Sequence, residues 1–69
     1  MSKENSIIGD NIKKLRLQKD LSQDKLARLA DIAFATLTKI ESGETPNPTI
    51  ETVKKIANAL SVSLDSLIK

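Results

Sequence analysis

Apolar residues recur along this chain at the three- and four-residue spacing of an α-helix, and no segment shows the alternation typical of a strand. In the first such segment, Ile8, Ile12 and Leu15 share one face of a helix that is expected to end near Asp20. Gly9 lies inside this helix, where it either weakens the helix by about 1 kcal/mol relative to alanine or admits a close neighbour. The pattern predicts an all-α fold.

Two short amphipathic helices, separated by a turn of about four residues, are predicted between residues 22 and 42. The first begins at Ser22 with an N-cap hydroxyl, and the second runs from about Ala33. Their inward residues are Leu26, Ala27 and Ala30 on the first helix and Leu37 and Ile40 on the second. The outward residues of the second helix are Phe34, Ala35, Thr38 and Lys39. This arrangement is a helix-turn-helix, whose second helix is suited to reading the major groove of DNA.

Two more helices are predicted after a loop that contains two prolines. Gly43 ends the second central helix as a left-handed C-cap, and Pro46 and Pro48 prevent the helix from continuing. Thr49 then caps a fourth helix, and Ser63 caps a short fifth one. The inward residues expected on the fourth helix are Ile50, Val53, Ile56, Ala57 and Leu60. The apolar residues of the fifth helix are Leu64, Leu67 and Ile68. We therefore expect a compact five-helix bundle.

At 69 residues, the chain is predicted to be one domain over residues 1–69, with residues 1–5 disordered and Ser6 capping the first helix. Cysteine and histidine are absent, which removes disulfides, thiolate zinc sites and imidazole sites, and we expect no metal and no cofactor. The first residues lack the apolar core of a signal peptide and no apolar run reaches bilayer length, so we expect a soluble cytoplasmic protein. Met1 looks like a native start, and the alternative is that the chain is one part of a longer protein. The formal net charge of +2 permits nucleic-acid binding without demonstrating it.

Six short motifs follow one another along the chain. They are Leu-Arg at 15–16, Leu-Ser-Gln at 21–23, Leu-Ala at 26–27, Ile-Glu-Ser-Gly at 40–43, Pro-Thr-Ile at 48–50, and Ala-x-x-Leu-x-Val-x-x-x-x-Leu ending at Leu67. In this order and spacing, the chain resembles the lambda-repressor-like helix-turn-helix domains of the Xre and Cro/repressor group, over nearly everything from Ile8 to Ile68. No single motif is decisive, but together they are specific.

The resemblance implies that Phe34, Ala35, Thr38 and Lys39 read base edges in the major groove. Phe34 or Ala35 would meet a thymine methyl, Thr38 would donate or accept a hydrogen bond, and Lys39 would reach guanine O6 and N7. As the only aromatic residue of the chain, Phe34 has one alternative role, which is to fold back over the helix terminus.

The resemblance implies a phosphate contact for Gln23, whose amide would add to the helix N-terminus. We expect further phosphate contacts from Thr36, Ser42, the backbone amides of residues 42–45 and lysines on flanking helices. A plain first-turn polar residue is the alternative for Gln23. The resemblance also implies a buried or half-buried ion pair between Arg16 and Glu41, which would orient the recognition helix more than it would stabilise the fold.

The chain departs from the family pattern at three places. Asp20 and Asp31 stand where glycine is usual, and Ala33 lacks the hydroxyl or carboxylate that commonly caps the recognition helix. Residues 44–47 carry no cation for phosphates, and Glu44 would repel them. We expect modest affinity with a steep dependence on salt.

An enzyme is not supported, because the chain lacks histidine, cysteine, tyrosine and tryptophan, has no glycine-rich phosphate loop, and shows no carboxylate pair that the pattern clusters in a pocket. No small-molecule ligand is evident. The resemblance implies a sequence-specific transcriptional regulator, a small repressor or controller-like protein that binds a double-stranded DNA operator. It would bind as a homodimer on half-sites about 34 Å apart. The alternative is a protein-interaction module on the same scaffold, such as an antitoxin or co-regulator.

The last helix supplies the candidate dimer contact. So short a helix cannot bury all of its apolar residues against the core of one subunit. Leu64 or Ile68 would then contact the same residue of a second copy of the chain across a twofold axis. In the other interpretation, Leu64 and Leu67 both face inward and only Ile68 is left without a packing partner.

Overall fold

Five helices and the turns between them make up residues 7–68, which are the residues that the computed structural model describes. The helices are α1 (Ile7–Gln18), α2 (Gln23–Ala30), α3 (Phe34–Ser42), α4 (Ile50–Leu60) and α5 (Leu64–Ile68). No strand occurs among these residues, and the predicted all-α fold is confirmed. The disorder predicted for residues 1–5 and the cap predicted at Ser6 lie outside the described residues.

The core forms where the inward faces of the five helices meet. Its buried apolar residues are Ile12, Leu26, Ala27, Ala30, Leu37, Ile40, Val53, Ile56, Ala57, Leu60 and Leu67. Every inward residue predicted for α2 and α3 belongs to this set. Both helices of the helix-turn-helix are therefore held by the same core, which fixes the direction in which α3 faces solvent.

Ile50 departs from the predicted pattern. Thr49 caps α4 as expected, because its Oγ1 accepts a hydrogen bond from the Thr52 amide at 3.2 Å. Ile50 is thus the first helical residue, and it is 61 % exposed. Cα–Cβ bonds tilt toward the helix N-terminus, so a side chain in the first turn points past the end of the helix. The inward placement predicted for Ile50 is wrong, whereas that of Val53, one turn later, is right.

Three helices end on a residue in the left-handed conformation that is not glycine. Asp20 after α1 has φ 60°, Asp31 after α2 has φ 59°, and Ser61 after α4 has φ 60°. After each, the next amide bonds to the carbonyl five residues earlier, as in a Schellman motif. The bonds run from Leu21 to Arg16 at 3.1 Å, from Ile32 to Ala27 at 3.0 Å and from Val62 to Ala57 at 3.0 Å. These reversals turn each helix sharply into the next element.

Gly9 brings α1 and α3 into close contact. A Cβ atom at this position would overlap the carbonyl oxygen of Ile40 and lie 3.3 Å from the Cα of Glu41. Of the two roles open for Gly9 in the sequence, the close approach of a neighbour is therefore the one that the structure shows. The backbone of α3 rests on α1 at this point.

Candidate nucleic-acid interface

The side of α3 that faces away from the core carries several side chains that the fold does not bury. The buried residues of α3 are Leu37, Ile40 and Glu41. On the other side, the outer face of α3 consists of Phe34, Ala35, Thr38 and Lys39. Phe34 is 51 % exposed, so about half of its surface is open to a ligand. Residues four apart are neighbours on a helix surface, so Phe34 lies beside Thr38, and Ala35 lies beside Lys39.

Two hydroxyl groups on α3 donate to the backbone of their own helix. Thr38 Oγ1 donates to the Ala35 carbonyl oxygen at 2.9 Å. Ser42 Oγ donates to the Lys39 carbonyl oxygen at 3.1 Å and accepts from the Glu44 amide at 3.3 Å. Back-bonding of this kind is common for serine and threonine in helices. With its hydrogen engaged, Thr38 offers a ligand its methyl group and its acceptor lone pairs.

Lys39 supplies the positive charge of the outer face. The ion pairs among residues 7–68 are Arg16–Glu41 and Arg28–Asp24, and Lys39 takes part in neither. The backbone carbonyl of Lys39 also accepts from the Thr45 amide at 3.0 Å, which folds the following loop back toward the helix. Lys39 therefore keeps its ammonium group available to a ligand.

Ala33 is the N-cap residue of α3 and has no side chain to satisfy the first amides. Its backbone is extended, with φ −68° and ψ 143°, and no side-chain capping bond is present. The Ala33 carbonyl accepts from the Thr36 amide at 3.0 Å and the Leu37 amide at 3.2 Å. The absence of a side-chain cap, predicted from the sequence, is confirmed.

Arg16 and Glu41 lie together beneath α3 as a buried, two-pronged pair. Arg16 Nε donates to Glu41 Oε2 at 2.7 Å and Arg16 Nη2 donates to Oε1 at 3.0 Å. The side chains are 9 % and 3 % exposed. Arg16 Nη1 also donates to the Leu21 carbonyl oxygen at 2.7 Å. One guanidinium group thus connects α1, the turn after it and the last turn of α3.

Gln23 extends this network to α2. Its Nε2 donates to Glu41 Oε1 at 3.0 Å, so the first residue of α2 is tied to the end of α3. Sequence reasoning missed this bond, because the two residues are 18 positions apart and lie on different helices. Ser22, next to Gln23, caps α2 as predicted and accepts from the Lys25 amide at 3.0 Å.

The surface around α5 contains the residues expected at a dimer contact. Leu67 is buried, Leu64 is half-buried and Ile68 is 48 % exposed. Asn11 Nδ2 donates to the Leu67 carbonyl oxygen at 2.8 Å, which holds the end of α5 against α1. Ile68 is thus the member of the apolar set on α5 that is most exposed to solvent.

Other kinds of site find little support in the described part of the chain. Residues 7–68 contain no group of three or more acidic, histidine or cysteine side chains that could hold a metal ion. A shallow depression lies between α4 and α5, away from α3, and is lined by Lys54, Ala57, Asn58, Val62, Ser63 and Leu64. Within the same residues, no helix combines the length and the apolar composition needed to cross a bilayer.

A family model described as helix-turn-helix matches residues 12–67, which include the core, the ion pair and the outer face. The chain belongs to the helix-turn-helix family. Within this family, it is similar to the HTH-type transcriptional regulator SinR of Bacillus subtilis, with 36 % identity over 62 residues that cover 90 % of this chain and 56 % of SinR. The chain spans about half the length of the curated relatives it matches.

Two solved structures of helix-turn-helix proteins share the fold closely. The restriction-modification controller protein C.AhdI from Aeromonas hydrophila has a TM-score of 0.88 and 28 % identity, and the match covers 94 % of this chain and 97 % of that one. SinR in complex with DNA, described as the master regulator for biofilm formation, has a TM-score of 0.87 and 35 % identity, with coverage of 90 % and 98 %.

Proposed function

We propose that this chain is a sequence-specific regulator of transcription that binds a double-stranded DNA operator by placing α3 in the major groove. The observation that carries this function is the outer face of α3, where the chain's only aromatic residue, Phe34, stands half exposed and Lys39 forms no ion pair among residues 7–68. The likeness to SinR, whose solved structure contains DNA, supports the same function. No catalytic role is part of it.

The base contacts are assigned to the outer face, Phe34, Ala35, Thr38 and Lys39. The N-terminal residues of a recognition helix approach base edges most closely, and Phe34 and Ala35 are the first two residues of α3. Lys39 lies one turn further on and is suited to guanine O6 and N7, which are adjacent acceptors in the major groove.

Phosphate contacts are assigned to Gln23, Thr36 and Ser42. The Gln23 side-chain amide carries two hydrogens, and since Glu41 accepts one, the other is left for a phosphate oxygen. Thr36 is exposed in the first turn of α3, where the helix dipole favours an anion. Ser42 would contribute its hydroxyl after releasing the Lys39 carbonyl.

The test is selection of bound duplexes from a random pool, followed by affinity measurements over a range of salt concentrations. We expect enrichment of a defined site and a linear fall of log affinity with log salt, with a slope of about −0.9 per phosphate neutralised. Failure to enrich any site, together with an affinity for a protein partner that is insensitive to salt, would support the interaction module instead and contradict this function.

The proposed regulator acts as a homodimer, with Ile68 and the half-buried Leu64 at the contact. Sedimentation at micromolar concentration measures the state directly. We expect Ile68→Lys to shift the protein toward monomer, whereas Leu17→Lys, at a residue on α1 that is 58 % exposed, leaves the state unchanged. If the parent protein is monomeric, the proposed dimer is wrong, whereas the proposed binding of DNA by α3 is unaffected.

A further inference from the structure

We infer that the outer face of α3 recognises the 5-methyl group of a pyrimidine, in thymine or in 5-methylcytosine alike, at the base pair that Phe34 contacts, an inference that rests on the DNA binding proposed above. The feature recognised at this base pair is thus a single chemical group, the methyl group at position 5 of the pyrimidine. The residues that carry it are Phe34, Ala35 and Thr38.

These three residues place apolar groups side by side at the start of α3. Phe34 is 51 % exposed, the exposed Ala35 follows it in the adjacent row of the helix surface, and the half-buried Thr38 follows Phe34 one helical turn later. The 5-methyl group of thymine is the apolar feature that the major groove presents. Contact between this patch and the methyl removes apolar surface of both from water.

The same residues offer little to the polar edge of a base pair. Reading N7, O6 or O4 requires a donor, and reading an exocyclic amino group requires an acceptor. Phe34 and Ala35 have neither, and the Thr38 hydroxyl hydrogen is engaged by the Ala35 carbonyl at 2.9 Å. Lys39, the donor of the outer face, lies in the other row of the helix, beside Ala35. Phe34 and Ala35, which have no polar group on their side chains, should therefore contact the methyl group of either pyrimidine in the same way, and the Thr38 lone pairs supply no donor for thymine O4.

The experiment starts from the site selected from a random pool by the parent protein. The relevant base pair is the one whose preference disappears when the selection is repeated with Phe34→Ala. If the pool yields no site at all, it is the proposed function that fails. If it yields a site in which this pair is not T·A, or in which Phe34→Ala changes no preference, DNA binding stands and the methyl-reading inference is overturned.

Four duplexes that differ only at this pair then isolate the methyl group: T·A, U·A, C·G and 5-methyl-C·G. Loss of one buried methyl corresponds to about a three- to tenfold loss of affinity. We expect U·A and C·G to bind more weakly than T·A by that factor, and 5-methyl-C·G to recover to within about twofold of T·A. Equal binding of T·A and U·A overturns the inference, and so does binding of 5-methyl-C·G no tighter than that of C·G.

A matched pair of variants separates the methyl of Thr38 from its hydroxyl. Thr38→Val keeps the methyl and removes the hydroxyl, and we expect its affinity for T·A to stay within about twofold and its preference for T·A over U·A to persist. Thr38→Ser keeps the hydroxyl and removes the methyl, and we expect that preference to shrink. The opposite pattern would show that the hydroxyl is the reader. Thermal unfolding of each variant verifies that it is folded.

Discussion

The inner and outer sides of α3 have opposite relations to the fold. On the inner side, Leu37 and Ile40 are completely or almost completely buried, and Glu41 is held by Arg16. On the outer side, Phe34 is half exposed and the Lys39 ammonium pairs with no carboxylate of the described residues. The first side determines where the helix lies, and the second is left available to a ligand. Changes on the inner side should therefore alter stability, and changes on the outer side should alter DNA preference alone.

The largest effect is expected from Arg16→Met, which leaves Glu41 as a buried carboxylate without its cation. We expect the free energy of unfolding to fall by roughly 2 to 4 kcal/mol, measured by urea denaturation. Gln23 alone does not neutralise the charge, since its amide is uncharged. A change below about 0.5 kcal/mol would contradict the inner side's dependence on this pair.

The double variant Arg16→Met with Glu41→Leu is the control, because it removes both charges together. Replacing a buried ion pair by apolar side chains is often neutral, so most of the stability should return. Stability that stayed low in the double variant would show that the pair matters through its geometry rather than through the stranded charge.

Gly9→Ala should be the next largest in effect, since it places a methyl group against the carbonyl oxygen of Ile40. We expect a loss of about 1 to 3 kcal/mol in unfolding free energy, although alanine is the better helix former. Asp10→Ala, at the exposed neighbouring position, is the matched control and should change stability by less than about 0.5 kcal/mol. Equal effects of the two substitutions would show that the close approach of the α3 backbone to Gly9 on α1 does not require glycine.

The inner side was largely predictable from the sequence, because helical periodicity depends only on the order of apolar residues. The capping roles of Ser22 and Thr49 followed from their side chains. Ile50 was misplaced because periodicity fixes the phase of a residue but not how far the core extends along the helix axis. The left-handed conformation of Ser61 could not be predicted from the sequence either, since serine carries no strong preference for that conformation.

The candidate site was predictable only as a set of outward positions. Their phase on α3 followed from the buried Leu37 and Ile40, but the state of each side chain did not. Thr38 was left as donor or acceptor, and its bond to the Ala35 carbonyl appears only in three dimensions. The contact of Gln23 with Glu41 depends on how α2 and α3 are packed, which no spacing along the chain encodes.

Lys39→Ala tests the outer side, and its effect should appear in DNA binding rather than in folding. We expect the selected site to lose its preference for guanine at one position, a change of about tenfold in relative affinity. The unfolding free energy should change by less than about 0.5 kcal/mol, because the Lys39 side chain makes no ion pair among the described residues. If the variant kept the site preference of the parent protein, Lys39 would not be a base-contacting residue. A large loss of stability would show that an outer residue of α3 also contributes to folding.

The smallest effect is expected at Ala33, where the inner and outer sides of α3 meet at the helix start. Its backbone already has the extended conformation of an N-cap, so Ala33→Thr should supply the missing acceptor and raise the unfolding free energy by about 0.5 to 1 kcal/mol. Ala33→Val has nearly the same shape without the hydroxyl and should give no such gain. If both variants gained stability to a similar extent, the gain would come from the restricted backbone of a β-branched residue and not from a capping hydrogen bond. Because neither variant alters the outer face, the selected DNA site should stay the same in both, and a changed site would mean that Ala33 itself belongs to the contact surface.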